Sequence, residues 1–220
     1  TPHAVGLNSC TAGLHLALTA LGLRSGDEVI TSPLTFASTA NVIEHSGGKT
    51  VFADIDPHTG NISSEEIAKR ITPRTKAVIV VHFAGRPADM DSIRRVCTSR
   101  RVPVVEDAAH ALGATYRGQK IGSIADLTTF SFHPVKHITT GEGGAVTANS
   151  GELMEKIRFF RCHCQTRNAE QWENRREAGG LWYYEIQDLG FNYRMSDINA
   201  ALGVSQLQRI EANVKKRREL

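Results

Sequence analysis

Three short segments carry residues whose types and spacing could do chemistry. The first is Asn8-Ser9-Cys10-Thr11-Ala12-Gly13, small and hydroxyl-bearing residues just ahead of an amphipathic stretch. Amide groups at a helix N-terminus, the Thr11 hydroxyl and the helix dipole can together hold a phosphate. The same residues also make good helix caps, so this segment alone leaves both readings open. The second segment, Val104-Val105-Glu106-Asp107-Ala108-Ala109-His110, ends an apolar run in an acidic pair followed by small residues. Open α/β sheets bind ligands at strand C-termini, and a carboxylate there can pair with a protonated ring nitrogen and make that ring an electron sink. Asp107 could equally cap a short turn beginning at Ala108. The third segment runs from Ser131-Phe132-His133-Pro134-Val135-Lys136 through Thr139-Thr140-Gly141-Glu142-Gly143-Gly144 and puts a lysine in a loop after a buried strand. Desolvation there depresses a lysine pKa and leaves free amine able to condense with an aldehyde. A loop lysine without such surroundings is simply solvated.

The elements that must position these segments alternate along the chain. Apolar, β-branched runs predict strands at Glu28–Thr31, Thr50–Ala53, Ala77–Val81, Val102–Glu106, Leu127–Phe132 and Gly144–Thr147. Helical spacing predicts helices at Thr11–Leu21, Thr35–His45, Ser63–Ile71, Asp89–Arg100 and Glu152–Phe160, with a last one from Met195 to the end. Strands that are apolar throughout are buried on both faces, so the expected fold is α/β, a mainly parallel sheet flanked by helices with right-handed crossovers. Gln165–Ile186 is polar and aromatic without either period and is expected to be an irregular excursion. No internal repeat or low-complexity linker interrupts the pattern.

Composition excludes several function classes. The 220 residues, 40% hydrophobic and 22% charged, describe a globular domain long enough for a real core. A net charge of +3 is too small to argue for nucleic acid, and the basic run Lys215-Lys216-Arg217-Arg218 reads as a solvated helix end. No apolar run approaches a membrane span, and residues 1–5 lack the features of a signal peptide, which makes a cytoplasmic location the expectation. Cys10, Cys97, Cys162 and Cys164 are expected to be free thiols, and Cys162-His163-Cys164 has no second pair at zinc-site spacing, so no metal is expected. No G-x-G-x-x-G follows a first strand, which argues against a nicotinamide oxidoreductase.

Taken in order, the three segments resemble the sugar aminotransferases of the DegT/DnrJ type, pyridoxal-phosphate (PLP) enzymes of fold type I. The resemblance extends through Ile71-Thr72-Pro73-Arg74-Thr75-Lys76-Ala77 to Gly190-Phe191-Asn192-Tyr193-Arg194-Met195-Ser196-Asp197. It implies that Lys136 links covalently to PLP and shuttles the proton, and that Asp107 binds the pyridinium. It also implies that His110 stands beside the phenolic oxygen, Phe36 stacks on the ring, and Thr11, Ala12 and Ser131 cradle the phosphate. Asn192 would reach the phosphate of a neighbouring subunit, so a homodimer with a shared active site is implied, although Arg194 could serve instead. His133 and Glu142 belong to the motif without an assigned role. Phe130-Ser131-Phe132-His133-Pro134-Val135-Lys136 looks closest to the branch that aminates a 4-keto-6-deoxy UDP-N-acetyl-hexosamine with L-glutamate. Sugar dehydratases of the same family replace the lysine by histidine, whereas Lys136 is present. The implied organisation is a PLP-binding large domain over residues 1–194, shortened at its start, and a helix over 195–220 leading toward a small C-terminal domain that this chain lacks. A non-catalytic PLP-binding regulatory or interaction protein remains the alternative.

Overall fold

The computed structural model describes residues 1–174, 180 and 182–219. Seven strands form one sheet: β1 His3–Leu7, β2 Glu28–Thr31, β3 Lys49–Phe52, β4 Thr75–Val81, β5 Val104–Asp107, β6 Leu127–Ser131 and β7 Gly144–Ala148. Their spatial order is β1-β7-β6-β5-β4-β2-β3. All pairings from β3 across to β6 are parallel, while β7 runs antiparallel to both β6 and β1. The α/β expectation with a mainly parallel sheet therefore holds. β1 has no counterpart among the sequence-predicted strands, because a five-residue run containing Gly6 shows no clear period.

Helices α1 Cys10–Ala20, α2 Ala37–His45, α3 Ser64–Arg70, α4 Met90–Ser99 and α5 Gly151–Arg161 cover the two faces. Successive residues of β4 serve opposite cores, as strand periodicity requires. Ala77 and Ile79 pack with Leu14, Leu18 and Val105 on the α1 side. Val78 and Val80 pack with Ile67, Met90 and Ile93 on the α3 and α4 side. Predicted and observed helix ends differ by one or two residues, the size of a cap. Ser9, Ser63, Asp89 and Ser150 accept amide hydrogens at the N-termini of α1, α3, α4 and α5.

Two local expectations need correction. The predicted strand Val102–Glu106 starts later and runs to Asp107, since Pro103 offers no amide to the ladder, although its carbonyl still accepts from Val78 N. The single predicted C-terminal helix is two, α6 Asp197–Leu207 and α7 Ile210–Glu219, separated at residues 208–209. The break turns α7 back toward the third motif, where the Arg217 guanidinium donates to the Lys136 carbonyl at 2.9 Å. Within the stretch expected to be irregular, Gln165–Thr166 pairs antiparallel with Glu185–Ile186, which closes the excursion at its base. Residues 175–179 and 181 of that stretch lie outside the described residues.

Candidate active site

The C-terminal ends of the parallel strands open onto one cavity of about 400 Å3. It is lined by Thr11, Phe36, Asp107, His110, Ser131 and Lys136, which are six of the eight residues singled out from the sequence. They arrive from four places along the sheet edge, the ends of β5 and β6 and the starts of α1 and α2. Asp107 closes β5 and Ser131 closes β6, while Lys136 follows in the turn where its own amide donates to the His133 carbonyl. Thr11 comes from the first turn of α1, and Phe36 from the residue before α2.

Asp107 is buried, with 5% of its surface exposed, and both carboxylate oxygens are engaged. Oδ2 accepts the Thr39 hydroxyl at 2.8 Å and Oδ1 accepts the Ala109 amide at 3.2 Å. Asp107 thus caps the turn at Ala108 and also presents a preoriented carboxylate to the cavity. Thr39 is a site residue that sequence reasoning missed, since a hydroxyl on an amphipathic helix gives no signal of its partner. Thr39 Oγ1 also lies 2.7 Å from Thr35 Oγ1, so the loop carrying Phe36 is tied to the same carboxylate.

Burial lowers the Lys136 pKa from its ordinary value, partly offset by Cys10 and Asp107. Its ammonium is therefore easier to deprotonate than that of a surface lysine. Burial, then the neighbouring Lys136 cation, lowers the His110 pKa, which favours a neutral imidazole. Cys10, another cavity residue not foreseen, has its thiol pKa raised by burial first and Asp107 second. The cysteine beside the site is accordingly a neutral thiol, its Sγ facing Thr129 Oγ1 at 3.6 Å.

The anion-binding end is the start of α1. Ser9 caps it, accepting the Ala12 amide at 3.0 Å. This close approach of helix to strand depends on Gly144, where an added Cβ would fall 2.5 Å from Cys10 N and from Ser9 C. Two sequence-predicted residues stand apart from the cavity lining. Ala12 is buried, its amide given to Ser9, so it would have to exchange that partner to reach a phosphate. Asn192 is exposed, bridges to Cys162, and accepts from Asn8 Nδ2 at 3.4 Å through its carbonyl. Its neighbour Arg194 donates to Cys162 Sγ at 3.1 Å. His133 and Glu142 do line the cavity. Among the described residues no group of three or more His, Cys, Asp or Glu side chains is placed to hold a metal. No described helix is long and apolar enough to cross a membrane.

Comparison with known proteins places these features in context. Residues 1–220 match the family model described as the DegT/DnrJ/EryC1/StrS aminotransferase family. The spore coat polysaccharide biosynthesis protein SpsC of Bacillus subtilis is 50% identical over 99% of this chain and 55% of its own length. The UDP-4-amino-4,6-dideoxy-N-acetyl-beta-L-altrosamine transaminase of Campylobacter jejuni is 43% identical over 99% of this chain and 55% of its own length. GDP-perosamine synthase of Caulobacter vibrioides is 43% identical over 98% of this chain and 54% of its length. The chain therefore spans about half the length of these curated relatives. In structure, the PLP form of the putative sugar aminotransferase Spr1654 of Streptococcus pneumoniae superposes with a TM-score of 0.90 at 35% identity, covering 100% of this chain and 58% of that one.

Proposed function

The chain belongs to the DegT/DnrJ/EryC1/StrS aminotransferase family, and from that premise we propose that it is the PLP-binding part of a sugar-nucleotide aminotransferase. The observation that carries the reading is one cavity holding a buried, doubly hydrogen-bonded carboxylate, a lysine of lowered pKa and the N-terminus of a helix. That donor set fits the group: a carboxylate for the pyridinium, an amine for the aldehyde and helix amides for the phosphate.

When bound, PLP supplies a conjugated ring that takes up the electron pair left when a proton departs from the substrate carbon. Lys136 would hold the cofactor's aldehyde end, and its amine, when free, would take the proton from the α-carbon of the donor L-glutamate. In the second half-reaction Lys136 returns a proton to the carbon that carried the keto group of the sugar. Asp107 keeps the ring nitrogen protonated in both halves, so charge is neutralised rather than created in a buried site. His110, whose burial favours the neutral imidazole, would stand beside the phenolic oxygen. Phe36, 80% exposed, supplies a ring face worth about 0.5–1.5 kcal/mol in an offset stack. Thr11 and Ser131 hold the phosphate together with the first turn of α1, to which Ala12 belongs. Asn192, or Arg194 beside it, reaches the phosphate in the partner subunit of a homodimer.

The substrate we propose is a 4-keto-6-deoxy UDP-N-acetyl-hexosamine, giving a 4-amino sugar nucleotide such as UDP-4-amino-4,6-dideoxy-N-acetyl-beta-L-altrosamine. This choice rests on the 130–136 motif and on the Campylobacter relative. A GDP-linked keto sugar is the second reading, favoured by equal identity to the perosamine synthase. The test is the visible spectrum of the protein with added PLP, before and after borohydride reduction, alongside Lys136→Ala. The expected result is a reducible band in the wild type only, with kcat in the variant down by at least about 10³-fold, as when a covalent catalytic group is deleted. Absence of a reducible band in the wild type would remove the reading. A band without turnover on either UDP- or GDP-linked keto sugars would instead favour a non-catalytic PLP-binding protein.

A further inference from the structure

Behind Asp107, on the opposite face of β5, lies a pair of fully buried titratable side chains that the proposed reaction does not use. Glu106 and Asp107 are consecutive in an extended strand, so their side chains point to opposite faces. The Glu106 Oε1 atom faces His82 Nε2 at 3.3 Å, and neither side chain is exposed. The Nδ1 atom of His82 accepts the Ala88 amide at 3.2 Å, which places the ring hydrogen on Nε2, toward Glu106. The other carboxylate oxygen, Oε2, accepts the Thr128 hydroxyl at 2.5 Å. The carboxylate is thus hydrogen-bonded to β6 on one side and lies against the imidazole at the end of β4 on the other, one residue before Asp107.

Two backbone contacts connect this cluster to the cavity. The His82 amide donates to the Asp107 carbonyl at 3.1 Å. The turn that follows His82 carries Gly85 at φ +83, where an added Cβ would meet the His110 carbonyl oxygen at 2.5 Å. A shift of His82 is therefore passed to Asp107 through a hydrogen bond and to His110 through close packing. Stability gives little reason to bury such a pair, because well-packed apolar side chains would serve the core as well or better. His82 Nε2 and Glu106 Oε1 are not aligned for a regular hydrogen bond with each other, so the cluster is held chiefly from its outer ends, by Ala88 and Thr128.

We infer that His82, Glu106 and Thr128 are positioning residues that set the Asp107 carboxylate against the cofactor ring from behind the sheet. The inference rests on the PLP reading above. Its signature is the pH midpoint of the visible band formed with Lys136. Close pairing of Asp107 with the ring nitrogen keeps the ring cationic, and a cationic ring withdraws electrons and lowers that midpoint. Loosening Asp107 raises it. Thr128→Val keeps the Glu106 charge and removes one of its anchors. Glu106→Gln keeps the shape and removes the charge, which by itself would lower the midpoint. Ile67→Val, on the core face of α3, serves as a control for general loosening.

The experiment titrates the visible band of the PLP-loaded wild type and the three variants against pH, with cofactor affinity measured in parallel. The expected result is an upward shift of about 0.5 unit or more, a threefold change in the proton equilibrium, in Thr128→Val and Glu106→Gln but not in Ile67→Val. If one of the two cluster variants does not fold, the other decides. No shift in either, a downward shift in Glu106→Gln with none in Thr128→Val, or an equal shift in Ile67→Val would each overturn the positioning role while leaving the PLP reading intact. No Lys136-dependent band in the wild type would overturn both.

Discussion

Asp107 is held on both oxygens by the protein itself, by Thr39 and by the Ala109 amide. Such preorganisation implies that its charge, more than its shape, serves the reaction. Asp107→Asn should keep the fold within a few degrees of Tm while lowering kcat by about 10²–10³-fold in a coupled transaminase assay. A comparable kcat would show that the ring nitrogen is held elsewhere. His110 sets a pH dependence whose sign follows from its environment. Burial and Lys136 lower its pKa in the folded state, so between its ordinary value of about 6.5 and the lowered one the unfolded chain binds more protons. His15 and His137 are shifted the same way, each by burial first. Stability should therefore fall as pH drops below about 6.5, and His110→Gln should flatten that slope in thermal melts. An unchanged slope would leave the effect to the other two histidines.

Among the secondary-structure elements, the site depends most on where α1 begins. Ser9 fixes that start by capping, and Ser9→Ala should cost about 0.5–2 kcal/mol in urea unfolding. Gly144 fixes its distance from β7. Gly144→Ala would overlap the backbone of Ser9 and Cys10 and should cost about 1–3 kcal/mol, together with weaker PLP binding in a titration of the visible band. A Gly144→Ala variant that binds PLP with wild-type affinity would show that the first turn of α1 is not the phosphate site. The same helix carries Gly13, where an added Cβ would lie 3.1 Å from Val146, so α1 sits close against the sheet as well as at its edge.

For the whole molecule, α6 leaves apolar side chains in view, with Ile198 and Leu202, one turn apart on the same face, 85% and 41% exposed. Only Gly203 of that helix is buried. In the proposed homodimer such a face is a natural contact, because neighbouring exposed apolar side chains on one helix face gain from burial against a partner. Ile198→Glu should lower the dimeric fraction in sedimentation velocity and, with it, weaken PLP binding in a titration of the visible band, because the phosphate would lose its contact from the partner subunit. An unaltered dimer would place the contact on another surface. Asn192, which does not line the cavity within this chain, is the residue whose role such a loss of dimer would test.

Much of this protein was legible in its residue order. Apolar runs buried on both faces dictate a parallel sheet, since only helices on each side can cover them. Small and hydroxyl residues before a helix, an acid at a strand end and a lysine in a loop announced the cavity's principal groups, because each depends on local context. What the order of residues could not determine were contacts between strands distant in sequence. β1 pairs with β7 across some 140 residues, and nothing in His3–Leu7 alone distinguishes it from a loop. Thr39 reaches Asp107 over 68 positions, and the pairing of His82 with Glu106 over 24 depends on which neighbours β5 takes in the sheet. The α6–α7 break likewise shows only in the folded chain, where α7 returns to the Lys136 carbonyl. Local chemistry is written in neighbouring residues, whereas the partners that orient it are chosen by topology, and topology minimises the free energy of the whole chain rather than of any segment.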